Sequence, residues 1–164
     1  MLNIVLFEPE IPQNTGNIAR TCVAFNATLH LIRPYGFVLN DKNLKRSGVD
    51  YWDKLKLVEH NNYESFLLSI KRESSVYYIT RYGKNKPDDI VYRNDDIYLV
   101  FGKESTGIDK TILKTNINKT IRIPSSNNVR SMNLSNCVAL MCYEVCRQNG
   151  YDGLETQEPH KIDW

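Results

Sequence analysis

No C-x-x-C pair occurs in this sequence: its cysteines, Cys22, Cys137, Cys142 and Cys146, stand at spacings that suit no zinc site. Three of them share one apolar segment near the C-terminus, which reads as reduced thiols in a core, and no metal is expected. The histidines, His30, His60 and His160, are scattered. None sits in a conspicuous loop, so the usual general base is missing there. No apolar run approaches the roughly 20 residues that span a bilayer. The opening "MLNIVLFEPE" turns acidic too early for a secretory leader. A soluble cytoplasmic protein with no membrane partner is the expectation. Large charge imbalance is absent too: a net +2 neither demands nor excludes nucleic acid.

Glycine-rich phosphate loops are also lacking. The first predicted strand runs on to "NTGN", with one glycine, rather than to G-x-G-x-x-G. That argues against the common dinucleotide-binding fold and the methyltransferases built like it. "GKESTG" holds a Gly, a Lys and a Ser–Thr pair, but not in the order of a Walker loop.

What is present is an alternation of apolar runs and helical segments. Strands are predicted at 2–7, 28–33, 55–60, 75–80, 96–102 and 120–124, the first a short apolar run rich in β-branched residues. Helices are predicted at 15–26, 63–72, 109–115 and 134–148, with a further short one in "DKNLKRSG" (41–48). Asn14 is the expected N-cap of the first, and Gly150 closes the last. The strands read as continuous apolar runs, which points to a parallel sheet buried on both faces: an α/β fold in one domain, 1–164. Residues 151–164 form a polar tail.

In such sheets ligands bind beyond the carboxyl ends of the strands. Three late loops stand out there: "ITRYG" (79–83), "VFGKESTG" (100–107) and "IRIPSSNNVRSMNLS" (121–135). Together they predict a pocket with apolar walls, from Ile79, Ile123, Met132 and Leu134, and many polar donors. Such a pocket suits a neutral heterocycle and a ribose. Asn133 alone can cap the last helix. The surplus of Ser and Asn around it is suited to holding ligand oxygens at a helix N-terminus.

"NTGNIARTC", "LVFGKESTG" and "IRIPSSNNVRSMNLSNCVAL" resemble, in order and spacing, the three signature motifs of the SPOUT superfamily of RNA 2′-O-methyltransferases. The motifs span residues 14 to 140. The opening "MLNIVLFEPEIPQNTGNIAR" and the "YGF…SGVDYW" segment resemble the small, extension-free branch that acts on nucleotide 34 of tRNA. The resemblance implies a C-terminal trefoil knot, S-adenosylmethionine as methyl donor, and a homodimer with active sites near the interface. It implies methylation of a wobble cytidine or modified uridine in the tRNA anticodon, leucine tRNA foremost, and no DNA partner. Ribosomal RNA methylation and a non-catalytic RNA-binding module are the alternatives.

Carried over by position, the resemblance places Arg20, Asn14, Glu104 and Asn133 in the catalytic set. It places Ile79, Gly102, Gly107, Ile123, Ser131, Met132 and Leu134 around the cofactor. Lys103 stands where relatives often carry proline, which bears on loop stiffness. Basic side chains near the same edge are candidates for RNA phosphates: Arg20, Lys42, Lys45, Arg46, Arg81, Lys84, Lys103 and Arg130. Tyr35, Phe37, Tyr51 and Trp52 are candidate stacking platforms.

Overall fold

The computed structural model describes residues 1–37, 51–93 and 96–158. The short helix expected at 41–48, with Lys42, Lys45 and Arg46, lies outside them, as does the end of the tail.

Among the described residues, six strands form one sheet: β1 (Leu2–Phe7), β2 (Thr28–Ile32), β3 (Lys56–His60), β4 (Ser75–Ile79), β5 (Ile97–Phe101) and β6 (Thr120–Ile121). The order is β3-β2-β1-β5-β4-β6, and every pairing is parallel. The helices are α1 (Pro12–Ala24), α2 (Tyr63–Ser69), α3 (Lys110–Thr115) and α4 (Leu134–Gln148).

The continuous apolar runs follow from burial on both faces. Every residue of β1, β2 and β5 is buried. Successive side chains of β1 point to opposite layers. Ile4 and Leu6 join Ile18, Cys22, Val138, Met141, Cys142 and Val145 under α1 and α4. Val5 and Phe7 join Phe66, Tyr78, Val100 and Leu113 under α2 and α3.

Local expectations differ from the structure at three places. The first helix starts at Pro12, with Ile11 as N-cap and no side-chain cap of its own. Asn14 therefore stands within the first turn, not before it. The last strand is two residues long, because the chain leaves the sheet after Ile121. The helix at 63 ends at Ser69, and Ile70 is already extended.

Segment 80–85 wraps the outer edge of β6. Thr80 N donates to Ile121 O at 2.9 Å, and Asn85 N donates to Thr120 O at 3.1 Å. Arg122 N donates to Asn85 O at 2.8 Å on the side away from β4. β6 thus runs between β4 and the loop that leaves β4.

The sheet reverses its winding between β1 and β5. Both loops at that switch point, 8–11 after β1 and 102–107 after β5, emerge at the same sheet end. Ligand crevices of α/β sheets form at such a place.

Candidate active site

A cavity of about 630 Å³ opens at the carboxyl ends of β4, β5 and β6. Its walls come from the three late loops and the first turn of α1. Asn14, Glu104 and Asn133 line it, with Ile79, Gly102, Gly107, Ile123, Ser131, Met132 and Leu134. Arg20 does not: it projects from the exposed side of α1, its guanidinium carbon 5.8 Å from the centre of the Tyr51 ring.

The polar centre of the cavity is a chain of hydrogen bonds between distant segments. The Glu104 carboxylate accepts three of them. Glu10 N donates at 2.9 Å, Ile11 N at 3.3 Å, and Asn14 Nδ2 at 3.1 Å. One of those donors, Ile11 N, belongs to the N-cap residue of α1 and is among the N–H groups that a helix leaves unsatisfied; Glu10 N lies one residue before it. Glu104, from the loop after β5, thus tethers the start of a helix that has no side-chain cap. Its charge also suits the positive end of the helix dipole.

Because Asn14 Nδ2 faces Glu104, its Oδ1 is left to accept. Asn133 Nδ2 donates to it at 3.1 Å. Asn133 Oδ1 in turn accepts from Ser135 N at 2.9 Å and caps α4, as expected. One asparagine therefore starts the last helix and joins it to the first.

A second set of bonds fixes the loop after β5. Glu10 accepts from Ser105 N and Ser105 Oγ, at 2.9 and 2.8 Å. These bonds hold its carboxyl below the ordinary range. Lys103 pairs with Glu8, which raises the ammonium pKa. Where a proline would stiffen this loop covalently, an ion pair ties it to the end of β1. Lys103 is consequently already paired and is a weaker candidate for RNA phosphate than Arg81 or Arg130.

Gly102 marks the closest approach in the site. A Cβ there would lie 2.2 Å from the carbonyl carbon of Gly107. Gly107 N donates to Lys103 O at 2.8 Å, closing the loop tightly. Gly107 itself has φ +77°, with open space where a side chain would stand.

Arg122 was not anticipated as a site residue. It lines the cavity and donates through Nη1 to Arg81 O at 2.8 Å. The signal was available: an arginine between Ile121 and Ile123, in a run that otherwise reads as buried strand, faces away from the core. Thr80, Ser105 and Thr106 also line the cavity. Cys137 does too, and burial pushes its thiol pKa up, which makes it a neutral wall rather than a nucleophile. Tyr51 is buried and donates to Gly16 O at 3.2 Å, so it packs α1 rather than offering a stacking face.

Residues 1–143 match the model of the SpoU rRNA methylase family. The chain belongs to that family. A Mycoplasma genitalium protein named "Putative tRNA (cytidine(34)-2′-O)-methyltransferase" is 48% identical over 160 residues, 96% of either chain. A solved structure described as giving insights into the 2-OH methylation of C/U34 on tRNA is 41% identical. It superposes with a TM-score of 0.86 over 92% of this chain and 97% of its own. The fold extends to more distant members. AviRb from Streptomyces viridochromogenes, solved in complex with AdoMet, is 20% identical with a TM-score of 0.79, over 91% of this chain and 58% of that one.

Proposed function

We propose that this protein transfers a methyl group from S-adenosylmethionine to the ribose 2′-oxygen of nucleotide 34 of tRNA, a cytidine or modified uridine. The observation that carries the reading is the convergence of three motifs, far apart in sequence, on one cavity through the Glu104–Asn14–Asn133 chain. The position on tRNA rests on relatives above 40% identity, matched over nearly the whole chain.

The cavity fits the proposed donor. Ile79, Ile123, Met132 and Leu134 offer apolar walls to an adenine, and the tight turn at Gly102 brings backbone close. When bound, S-adenosylmethionine supplies an electrophilic sulfonium methyl. The rest is the work of the chain. Asn133 and Ser131 orient the ribose so that the 2′-oxygen lies in line with that methyl, and positioning of this kind supplies much of the acceleration. Glu104 acts through Asn14, fixing the amide that Asn133 reads.

Arg20 has an electrostatic role in this proposal. A guanidinium gives up its proton too reluctantly to be an ordinary base, so it steadies RNA phosphate and the developing charge on oxygen, while the 2′-hydroxyl gives its proton to solvent water and S-adenosylhomocysteine is the product released. Standing outside its own chain's cavity, Arg20 meets the reacting ribose in a homodimer whose interface adjoins the active sites. α4 supports that assembly: Val138, Met141, Cys142 and Val145 are buried, while Leu140 and Tyr143 stay 47% and 51% exposed beside them. The wrapping of β6 by segment 80–85 supports a knotted C-terminal segment. The proposed location is cytoplasmic; no helix among the described residues is long and apolar enough to cross a membrane.

Labelled methyl transfer to total RNA from cells lacking the protein tests the reading. Label in the tRNA fraction is the expected result. Label in ribosomal RNA alone transfers the activity to that substrate, and none at all makes the protein a non-catalytic binder.

A further inference from the structure

A second hollow, of about 270 Å³, adjoins the first. Thr80 and Tyr82 line both. Its floor is apolar, from the buried Leu113 and from Ile117, which is 45% exposed. Lys110 and Lys114, one turn apart on α3, stand at its rim. Tyr82 is 59% exposed, and the Arg81 guanidinium carbon lies 4.7 Å from the centre of its ring.

Three physical features point to one kind of occupant. Like charges four residues apart weaken a helix, and neither lysine has an ion pair among the described residues to offset this. The neighbouring carboxylate, Asp109, is already engaged in capping α3 through Thr111 N at 2.6 Å. Unpaired cations beside an apolar floor and an exposed aromatic ring match the way single-stranded nucleic acid is held, with phosphates on lysines and a base against a ring. The continuity with the first cavity, through Thr80 and Tyr82, selects the same RNA as the ligand.

We infer that this hollow holds a second nucleotide of the RNA substrate, outside the one that is methylated, its base against Tyr82 and the Leu113–Ile117 floor and its phosphates on Lys110 and Lys114. The inference rests on the RNA-methyltransferase reading above. Thr80 and Tyr82 are walls of both cavities, so a nucleotide seated here lies next to the one that is methylated.

The test is retention of labelled, unfractionated tRNA by the full-length protein over a range of potassium chloride. Replacing both lysines, Lys110→Ala with Lys114→Ala, should weaken binding about ten-fold at low salt. It should also flatten the slope of log K against log salt by roughly 0.7 for each lysine. Heat of S-adenosylmethionine binding without RNA should be unchanged. Tyr82→Leu should weaken tRNA binding, and Tyr82→Phe should restore it, since stacking needs only the ring. A charge reversal, Lys114→Glu, with its melting temperature recorded, guards against a folding effect. If the wild type methylates tRNA and the double variant binds with the same affinity and slope, the inference is overturned while the activity stands. If the wild type neither binds nor methylates tRNA, both fall.

Discussion

Asn133 Nδ2 donates to Asn14 Oδ1 at 3.1 Å across 119 residues of sequence. That bond joins the first turn of the first helix to the cap of the last, at the wall of the cavity. It also makes two jobs of Asn133 separable. Asn133→Asp keeps an oxygen for Ser135 N and the helix dipole, but loses the donor to Asn14. It is expected to melt within a few degrees of the wild type and to lose methyl transfer. Asn133→Ala is expected to lose activity and about 1 kcal/mol of stability as well. Thermal melts run beside transfer assays check the separation.

Glu104 tethers the start of a helix that lies more than 90 residues before it. Glu104→Gln replaces one acceptor oxygen with an amide that faces N–H donors. The expected cost is about 1–2 kcal/mol, read by urea unfolding, with hydrogen exchange rising at the N–H groups of Glu10 and Ile11. Unchanged protection at those two positions would show that the tether is not needed.

Two glycines of one loop should respond unequally. Gly102→Ala puts a methyl 2.2 Å from the carbonyl carbon of Gly107, where backbone must move. Loss of cofactor binding and severe destabilisation are expected. Gly107→Ala meets no atom within 4 Å and carries only the strain of φ +77°, about 1–2 kcal/mol. Calorimetry with S-adenosylmethionine and melts of both variants make the comparison.

The paired histidines beneath α2 should make the fold acid-sensitive. His30 Nδ1 and His60 Nε2 are 2.9 Å apart, and His30 Nε2 lies 3.2 Å from Asn3 Oδ1. Asn3 gives both amide hydrogens to carbonyls, so its oxygen faces His30 as an acceptor. Neutral His30 donates to Asn3 and accepts from His60. Burial, then the His60 charge, lowers the His30 pKa to about 4. Burial lowers that of His60 also. Groups depressed in the fold favour it above their unfolded pKa of about 6.5, and this is lost as pH falls towards 4. Urea midpoints should be level from pH 8 to 7 and fall by an amount worth on the order of 2 kcal/mol by pH 5. His60→Gln keeps an N–H for His30 and should soften the fall.

Much of this was legible because burial leaves a simple signature. β1, β2 and β5 are covered on both faces, so their sequences are plain apolar runs. Asn133 was legible as a cap because its partner, Ser135, is two residues away. The start of α1 was not, because it has no side-chain cap and is tethered by Glu104, and no local pattern carries a contact of that length. Arg20 was named through a resemblance of motifs, and its place outside the cavity follows from the helix: Asn14 and Arg20, six residues apart, face different sides. Arg122 was hidden inside what read as a strand, which ends at Ile121.

The most direct measurement is to map the methyl group. tRNA from cells lacking the protein is incubated with the wild-type enzyme and labelled S-adenosylmethionine, then digested and sequenced by mass. The account predicts one new 2′-O-methyl ribose, at nucleotide 34, absent with Asn133→Asp. A methyl group on a base, at another nucleotide, or nowhere in tRNA would contradict it.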